Sequence, residues 1–377
     1  RNPKVGPDVQ TAVILAGWTT TTTRDQKDTP GMTAERKDGK NRPADFDWHL
    51  DGSRHLADWG FSEGIDNEGK IDGSAAYRDA KKPKGPYLNF LDKAGFAERY
   101  VREHEERNKH RGAYVTCLSD EAYCDNWIAE NGLNFLRQFP EGRPWHLMVN
   151  FAGPHNPMDV TQRMNQEVKG LKFPPPVDNT QEAFNDEDHQ RNRRHYAAMI
   201  QNIDRQVGRF LKAVRERGEL DNTLIVYASD HGEMLGDHNR FGKSVYYHPS
   251  VRVPLIAAGP GVCANRKINA LVELQDLAAT FLDFGGAEAL PGMQAHSLRR
   301  CLNGETDAHR PHVVSGLGDW RMIFDGRHKL VVGLAGEPLL FDLKEDPWER
   351  RNVAVGNPDT VHRLQDIIKK EFKRMGN

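Results

Sequence analysis

Apolar and polar positions follow one another unevenly along this chain, and the regular stretches cluster in its middle. Tyr196, Met199, Ile200, Ile203, Val207, Phe210, Leu211 and Val214 recur at the 3.6-residue spacing of a helix with one buried face, and Gly218 stands where such a helix would end. Two short apolar runs, His146 to Phe151 and Thr223 to Ala228, read as buried strands. The first is closed by "GPHNP" and the second runs into "SDHGEMLGDHNRFGK". "VPLIAAG" is a further strand. Helix, strand, polar motif, strand is the grammar of an α/β fold, in which ligands sit beyond the carboxyl ends of the strands. That rule places His155 and Asp230 where a ligand would be, and it is a reason to treat their two loops as parts of one site.

The remaining stretches are less regular. "SDEAYCDNWIAENGLNFLRQF" reads as a helix or a broken pair, with Ser119 as its cap and Trp127, Ile128, Leu133, Phe135 and Leu136 as its apolar side. Residues 1–85 are polar and aperiodic, so little structure and no first strand are expected there. Residues 158–192 are polar, contain "FPPPVDN", and read as a long surface excursion. After residue 305 the pattern changes: "RMIFDGRHKLVV" and "PLLFDL" look like antiparallel strands, and "TVHRLQDIIKKEFKRM" is an amphipathic terminal helix. The expected division is a large α/β domain over 1–305 and a small α+β subdomain over 306–377, without internal repeats.

Composition narrows the function classes. Among 377 residues, 37% are hydrophobic and 28% charged, as in a folded globular protein. The formal charge is −2, with 52 basic and 54 acidic residues spread along the chain, which gives no nucleic-acid footprint. No apolar run is long enough to span a bilayer, and "TAVILAGW" is too short for a signal peptide, so the compartment stays open. Cys117, Cys124, Cys263 and Cys301 form no zinc-ligand spacing. Cys117 and Cys124 are near enough in sequence for a local disulfide, but four ordinary thiols are the simpler expectation.

The densest chemistry lies in "YASDHGEMLGDHNRFGK". Asp230 at a strand end can bind a divalent cation, and His231 beside it can add an imidazole nitrogen. Gly232 and Gly236 allow tight turns near a ligand. Lys243 carries a point charge suited to an anionic oxygen. The same composition fits a solvated polar loop, and the spacing is not that of an HExxH zinc protease. His155 in "GPHNP" is open to the same plain reading as an exposed loop histidine.

Extended to "SDHGEMLGDHNRFGKSVYYHPSVRVPLI", this stretch resembles the signature region of the sulfatase family, within the alkaline-phosphatase-like superfamily. "YAAMIQNIDRQVGRFLKAVRERGELDNT", "FAGPHNP", "VELQDLAATFLDFGGAEALPGMQAHSL" and "RHKLVV" with "LFDLKEDPWERRNVA" resemble further family segments, in family order. The resemblance implies a mixed sheet sandwiched by helices with a small C-terminal subdomain. It implies cleavage of a sulfate monoester on a carbohydrate or small molecule. Asp230 and His231 would be ligands of a divalent cation, usually calcium, with magnesium or manganese as alternatives because His231 offers nitrogen to a hard ion. Lys243 would contact the sulfate, and His155 would contact it or protonate the leaving oxygen. Asp159 and Arg163 are candidate substrate contacts on the excursion.

The family's nucleophile is a Cys or Ser converted to formylglycine, in a Cys/Ser-x-Pro-x-Arg motif; its hydrate attacks sulfur. No cysteine or serine of this sequence stands in that motif, and the paired aspartates that open the family's first strand are also missing. "VQTAVILAGW" resembles a stretch that follows the nucleophile in the family, so truncation is the simplest account. A family lysine could align with Lys37, or a partner histidine with His49, which would put Asp47 where the lysine belongs. These 377 residues alone are therefore expected to have little or no turnover. Two other readings remain: a phosphonate or phosphate ester hydrolase on the same fold, and a non-catalytic binding protein for sulfated ligands. The sequence leaves the oligomeric state open.

Overall fold

The structure is a computed structural model that describes residues 10–15, 49–52, 56, 60–180 and 184–374. These fall into two compact units. The first holds the described residues up to 176 and those from 184 to 220; the second holds 177–180 and 221–374. Lys37 and Asp47 lie outside the described residues, and His49 is exposed.

In chain order the first unit contains β1 (Gln10–Leu15), β2 (Glu63–Asp66), α1 (Ile71–Ala80), α2 (Pro86–Lys93), α3 (Ala97–Glu106) and β3 (Ala113–Val115). It continues with α4 (Cys124–Gln138), β4 (Trp145–Val149), β5 (Met158–Val160), α5 (Gln162–Val168) and α6 (Asp186–Glu216). β1 is the central strand of a parallel sheet of order β2-β1-β4, with Ala12 opposite Glu63 and opposite Leu147. The irregular start of the chain predicts no such strand, and the structure corrects that. It also places β2 and α1 within the first 85 residues. α1 buries Gly73, Ser74 and Tyr77, a face of small residues and one ring that a hydrophobic-periodicity reading does not register.

Tyr77 joins Tyr87, Leu88, Leu91, Tyr100, Val101, Leu118 and Ile128 in the main core of this unit. A second cluster of Leu136, Phe139 and Val214, with Phe210, Trp145 and Leu147 against it, seats α4, α6 and β4 together. Gly132 of α4 lets the helices approach: a Cβ there would stand 2.8 Å from Phe210. α6 contains the predicted long helix, but it begins at Asp186, within the stretch expected to be a surface excursion. Its N-cap Asn185 accepts from the Asp188 amide, three acids occupy its first turn, and Gly218 follows its end with φ 72°. α4 is one helix whose cap position is Tyr123; Ser119 instead accepts from the Ala122 amide one turn earlier.

The expected surface excursion is a correction as well. β5 is buried throughout and pairs in parallel with β3, Met158 opposite Ala113. α5 follows, capped by Thr161. Three residues are too few for a period to show, and the central one, Asp159, hides as a charge.

The second unit contains β6 (Ile225–Ala228), α7 (His248–Val251), β7 (Leu255–Ala258), α8 (Asp276–Phe284) and α9 (Arg299–Leu302). β8 (Val313–Leu317), β9 (Trp320–Phe324), β10 (His328–Val332), β11 (Leu339–Asp342) and α10 (Pro358–Arg374) complete it. β6 and β7 pair antiparallel. The last four strands form the expected antiparallel sheet, order β11-β10-β9-β8. One face packs Ile323, Leu330 and Leu340 against Val361, Leu364 and Ile368 of α10. The other packs Trp320, Met322, Val331 and Phe341 against Tyr246, Tyr247 and Val251. The sheet is thus a two-sided platform, and the loop after Lys243 lies on it. All four cysteines are free thiols. No described helix is long and apolar enough to cross a membrane.

Candidate active site

Asp230 lies two residues beyond β6, where the chain leaves the strand and turns. Its Oδ2 stands 3.3 Å from His231 Nε2, and the His231 Nδ1 is 2.7 Å from the Gly232 carbonyl. Burial raises the Asp230 pKa, and the charges of His231 and Lys243 pull it back. Lys243 therefore acts electrostatically on the Asp230 carboxylate. Burial likewise raises Glu233, whose carboxylate accepts from the Gly242 and Leu235 amides and so ties the two ends of the 233–242 loop.

The turn that carries Asp230 and His231 is fixed by backbone contact. The Gly232 amide donates to the Ser250 carbonyl at 2.7 Å, and a Cβ at Gly232 would meet the Pro249 carbonyl oxygen at 1.9 Å. Only glycine fits that approach. Beyond Lys243 a buried ion pair holds the chain. Lys329 Nζ donates to Glu349 at 2.5 Å and to the Tyr246 carbonyl at 2.9 Å. Glu349 in turn accepts from the His248 amide at 2.7 Å. Side-chain exposures of 0% and 1% make this pair part of the interior. Burial brings Lys329 down to about 8, against the pull of Glu349. His248 is pushed down to about 3 by burial and by the charges of Lys329 and Arg252, so it is neutral at physiological pH.

His155 belongs to the first unit. It follows β4 in a half-buried loop in which the Gly153–Pro154 and Asn156–Pro157 peptides are cis. Its Nδ1 lies 2.7 Å from the Asn156 carbonyl, and its amide donates to the Ala152 carbonyl. Two buried groups support the loop from beneath. Asp125 of α4 accepts from the Gly153 amide at 2.9 Å; burial raises its pKa, with the Lys70 charge opposing. Lys70 Nζ donates to Asp159 at 2.7 Å and to two loop carbonyls. Asp159 is fully buried in this pair, so it is not a surface contact for substrate; Arg163 is committed to Asp120 and Glu167.

The structure thus sets Asp230 beside His231 on one loop with Lys243, and puts His155 on a separately braced loop. The sequence reading does not find the bracing residues Lys70, Asp125, Glu233, Lys329 and Glu349. Lys329 has one signal: it stands directly before the apolar run Leu330, Val331 and Val332 of one strand, where a two-sided platform would bury it.

A hard divalent cation such as calcium takes six to eight oxygen ligands. Asp230 and His231 offer two neighbouring donors, and among the described residues no group of three or more His, Cys, Asp or Glu side chains is placed to hold a metal. The described residues do not by themselves complete a cation site.

Solved structures place this architecture. A phosphonate monoester hydrolase of Agrobacterium radiobacter superposes with a TM-score of 0.69 over 97% of this chain and 78% of its own, at 22% identity. A protein solved in complex with its substrate D-glucosamine-2-N,6-O-disulfate gives a TM-score of 0.61 over 67% of this chain and 70% of its own, at 21% identity. The fold is therefore the alkaline-phosphatase-like α/β fold with a small C-terminal sheet. Sequence comparison goes further. Residues 52–287 match the Sulfatase family, and residues 236–377 match the C-terminal region described as N-sulphoglucosamine sulphohydrolase. An arylsulfatase of Clostridium perfringens is 28% identical over 279 residues, 66% of this chain and 57% of that protein. Arylsulfatase K of Mus musculus is 32% identical over 190 residues, 46% of this chain and 34% of its own length. The family match spans more than half of the chain, and the chain belongs to the sulfatase family. It spans between about a third and three fifths of the length of these two relatives.

Proposed function

We propose that the chain is part of a sulfuric ester hydrolase that acts on a sulfate monoester. The observation that carries the reading is the Asp230–His231 pair at a strand end, in a loop with Lys243, inside the region that matches the Sulfatase family. Asp230 and His231 would be two ligands of a divalent cation. Calcium is the ion to which the resemblance points, with magnesium or manganese as alternatives. Lys243 and His155 would contact the sulfate, where negative charge builds as the ester bond breaks. The remaining cation ligands and the formylglycine nucleophile are not supplied by the described residues. A sulfated carbohydrate is the favoured substrate class, because a structural neighbour was solved with glucosamine disulfate as its substrate. The division of the chain near residue 305 belongs to the same proposal.

The test is calorimetric titration of the intact 377-residue chain with an aryl sulfate, and with the matching aryl phosphate, in the presence of calcium. The reading expects the sulfate to bind more tightly, and expects His155→Ala to weaken it about tenfold, as loss of one charge-assisted contact would. Tighter phosphate binding would favour the phosphoester reading. Binding of neither would overturn the assignment of these residues.

A further inference from the structure

We propose that Lys70 is a positioning residue that sets the backbone of the His155 loop. The proposal rests on the reading of His155 as a sulfate-facing group, and deepens it. Lys70 lies just ahead of α1, at 5% exposure, and its own carbonyl is taken up by the Ser74 hydroxyl at 2.7 Å. An ammonium has three N–H donors. All three are spent here: one on the His155 carbonyl at 2.9 Å, one on the Pro157 carbonyl at 3.0 Å, and one on Asp159 Oδ1 at 2.7 Å. Two of the three go to backbone atoms of the loop itself, on either side of Asn156. The third goes to the first residue after Met158, where β5 has begun. One buried nitrogen thus gathers three points of a five-residue segment.

Lys70 reaches both carbonyls from the start of α1. Asp125 holds its other end through the Gly153 amide. A loop braced this way presents the His155 ring from a fixed main chain, and fixed geometry is what a group aimed at a transferring sulfate requires. A purely structural ion pair would need only the Asp159 contact. The two carbonyl bonds are the part that points to positioning.

The experiment separates stability from positioning. In Lys70→Met/Asp159→Leu the buried charges leave together, an exchange that often costs little stability. The loop carbonyls nevertheless lose their donor. Native-state hydrogen exchange of the intact chain reads the amides of Gly153, His155 and Met158 against those of α4 and α6. The proposal expects the loop amides to exchange at least tenfold faster while the helix amides keep wild-type rates. It also expects the His155 ring resonances to shift. Lys70→Arg provides a second variant that keeps the charge, but its planar fork cannot converge three bonds on one nitrogen; it should show the same loop-specific acceleration. Loop and helix amides that change together, or loop amides that do not change in either variant, would overturn the proposal. Aryl sulfate titration of the same variants distinguishes the two readings: a loosened loop with unaltered affinity supports the role of Lys70 and counts against that of His155.

Discussion

Replacing Lys329 with methionine should destabilise the second unit strongly, and the size of the loss follows from what is left behind. Lys329 is fully buried, bonded to Glu349 and to the Tyr246 carbonyl. Methionine keeps most of the volume and removes the charge. Glu349 then remains as an interior carboxylate with the His248 amide as its bonded neighbour. Breaking a buried pair from one side costs about 3–5 kcal/mol, because the surviving charge has lost its compensation. That is a large share of the roughly 5–15 kcal/mol by which domains are stable. Removing both charges, in Lys329→Met/Glu349→Leu, should recover much of the loss, since apolar replacement of a whole buried pair is often neutral. Urea unfolding followed by circular dichroism and by tryptophan fluorescence would measure both; two probes are needed because two compact units need not unfold in one step. A single-variant loss below about 1 kcal/mol, or a double variant no better than the single, would refute the reasoning from burial and pairing.

Three further outcomes are expected. Glu68 caps α2 through the Leu88 and Tyr87 amides, and burial raises its pKa to about 7. Its folded pKa lies above its unfolded one, so its contribution is present below about 4.5 and lost as pH rises through 7. Unfolding measurements should show about 1 kcal/mol lost between pH 6.5 and 8, and Glu68→Gln should remove that slope. Asp276 shows the opposite sign: burial alone would raise it, but Arg310 and the Glu273 and His296 amides hold it at about 2. Its contribution, about 2 kcal/mol, is present above pH 4 and lost as pH falls toward 2, so Asp276→Asn should destabilise at neutral pH and flatten the acid limb of the stability curve. Gly232→Ala drives a methyl group into the Pro249 carbonyl and should cost about 1–3 kcal/mol while parting the Asp230 turn from Ser250, seen as faster exchange of the Gly232-site amide.

Elements with a full apolar stripe were legible from sequence, and those built from small or charged residues were not. α6 shows eight apolar positions in register from Tyr196 to Val214, and the structure has that helix; its first turns, from Asp186, lie in the polar stretch that reads as a surface excursion. β9, β10 and β11 are short apolar runs between turn residues, and they pair as expected. α1 carries no stripe, because Gly73 and Ser74 pack by being small. β5 contains a charge at its centre, which reads as surface until Lys70 is seen beside it. The candidate site shows the same division. Asp230, His231 and Lys243 stand together in one motif and are found on one loop. Apart from Glu233, their supports come from residues far away in sequence: Glu349 lies 101 positions from the His248 amide that it holds. Local pattern carries no information about such contacts.

The central claim is that Lys243 faces a sulfate. It is tested most directly by titrating an aryl sulfate into the wild-type chain and into Lys243→Ala, with the urea midpoint of each measured in parallel. The account predicts an affinity lower by about ten- to a hundredfold at an unchanged midpoint, the loss of one charge-assisted contact. Equal affinity in the two proteins would contradict it.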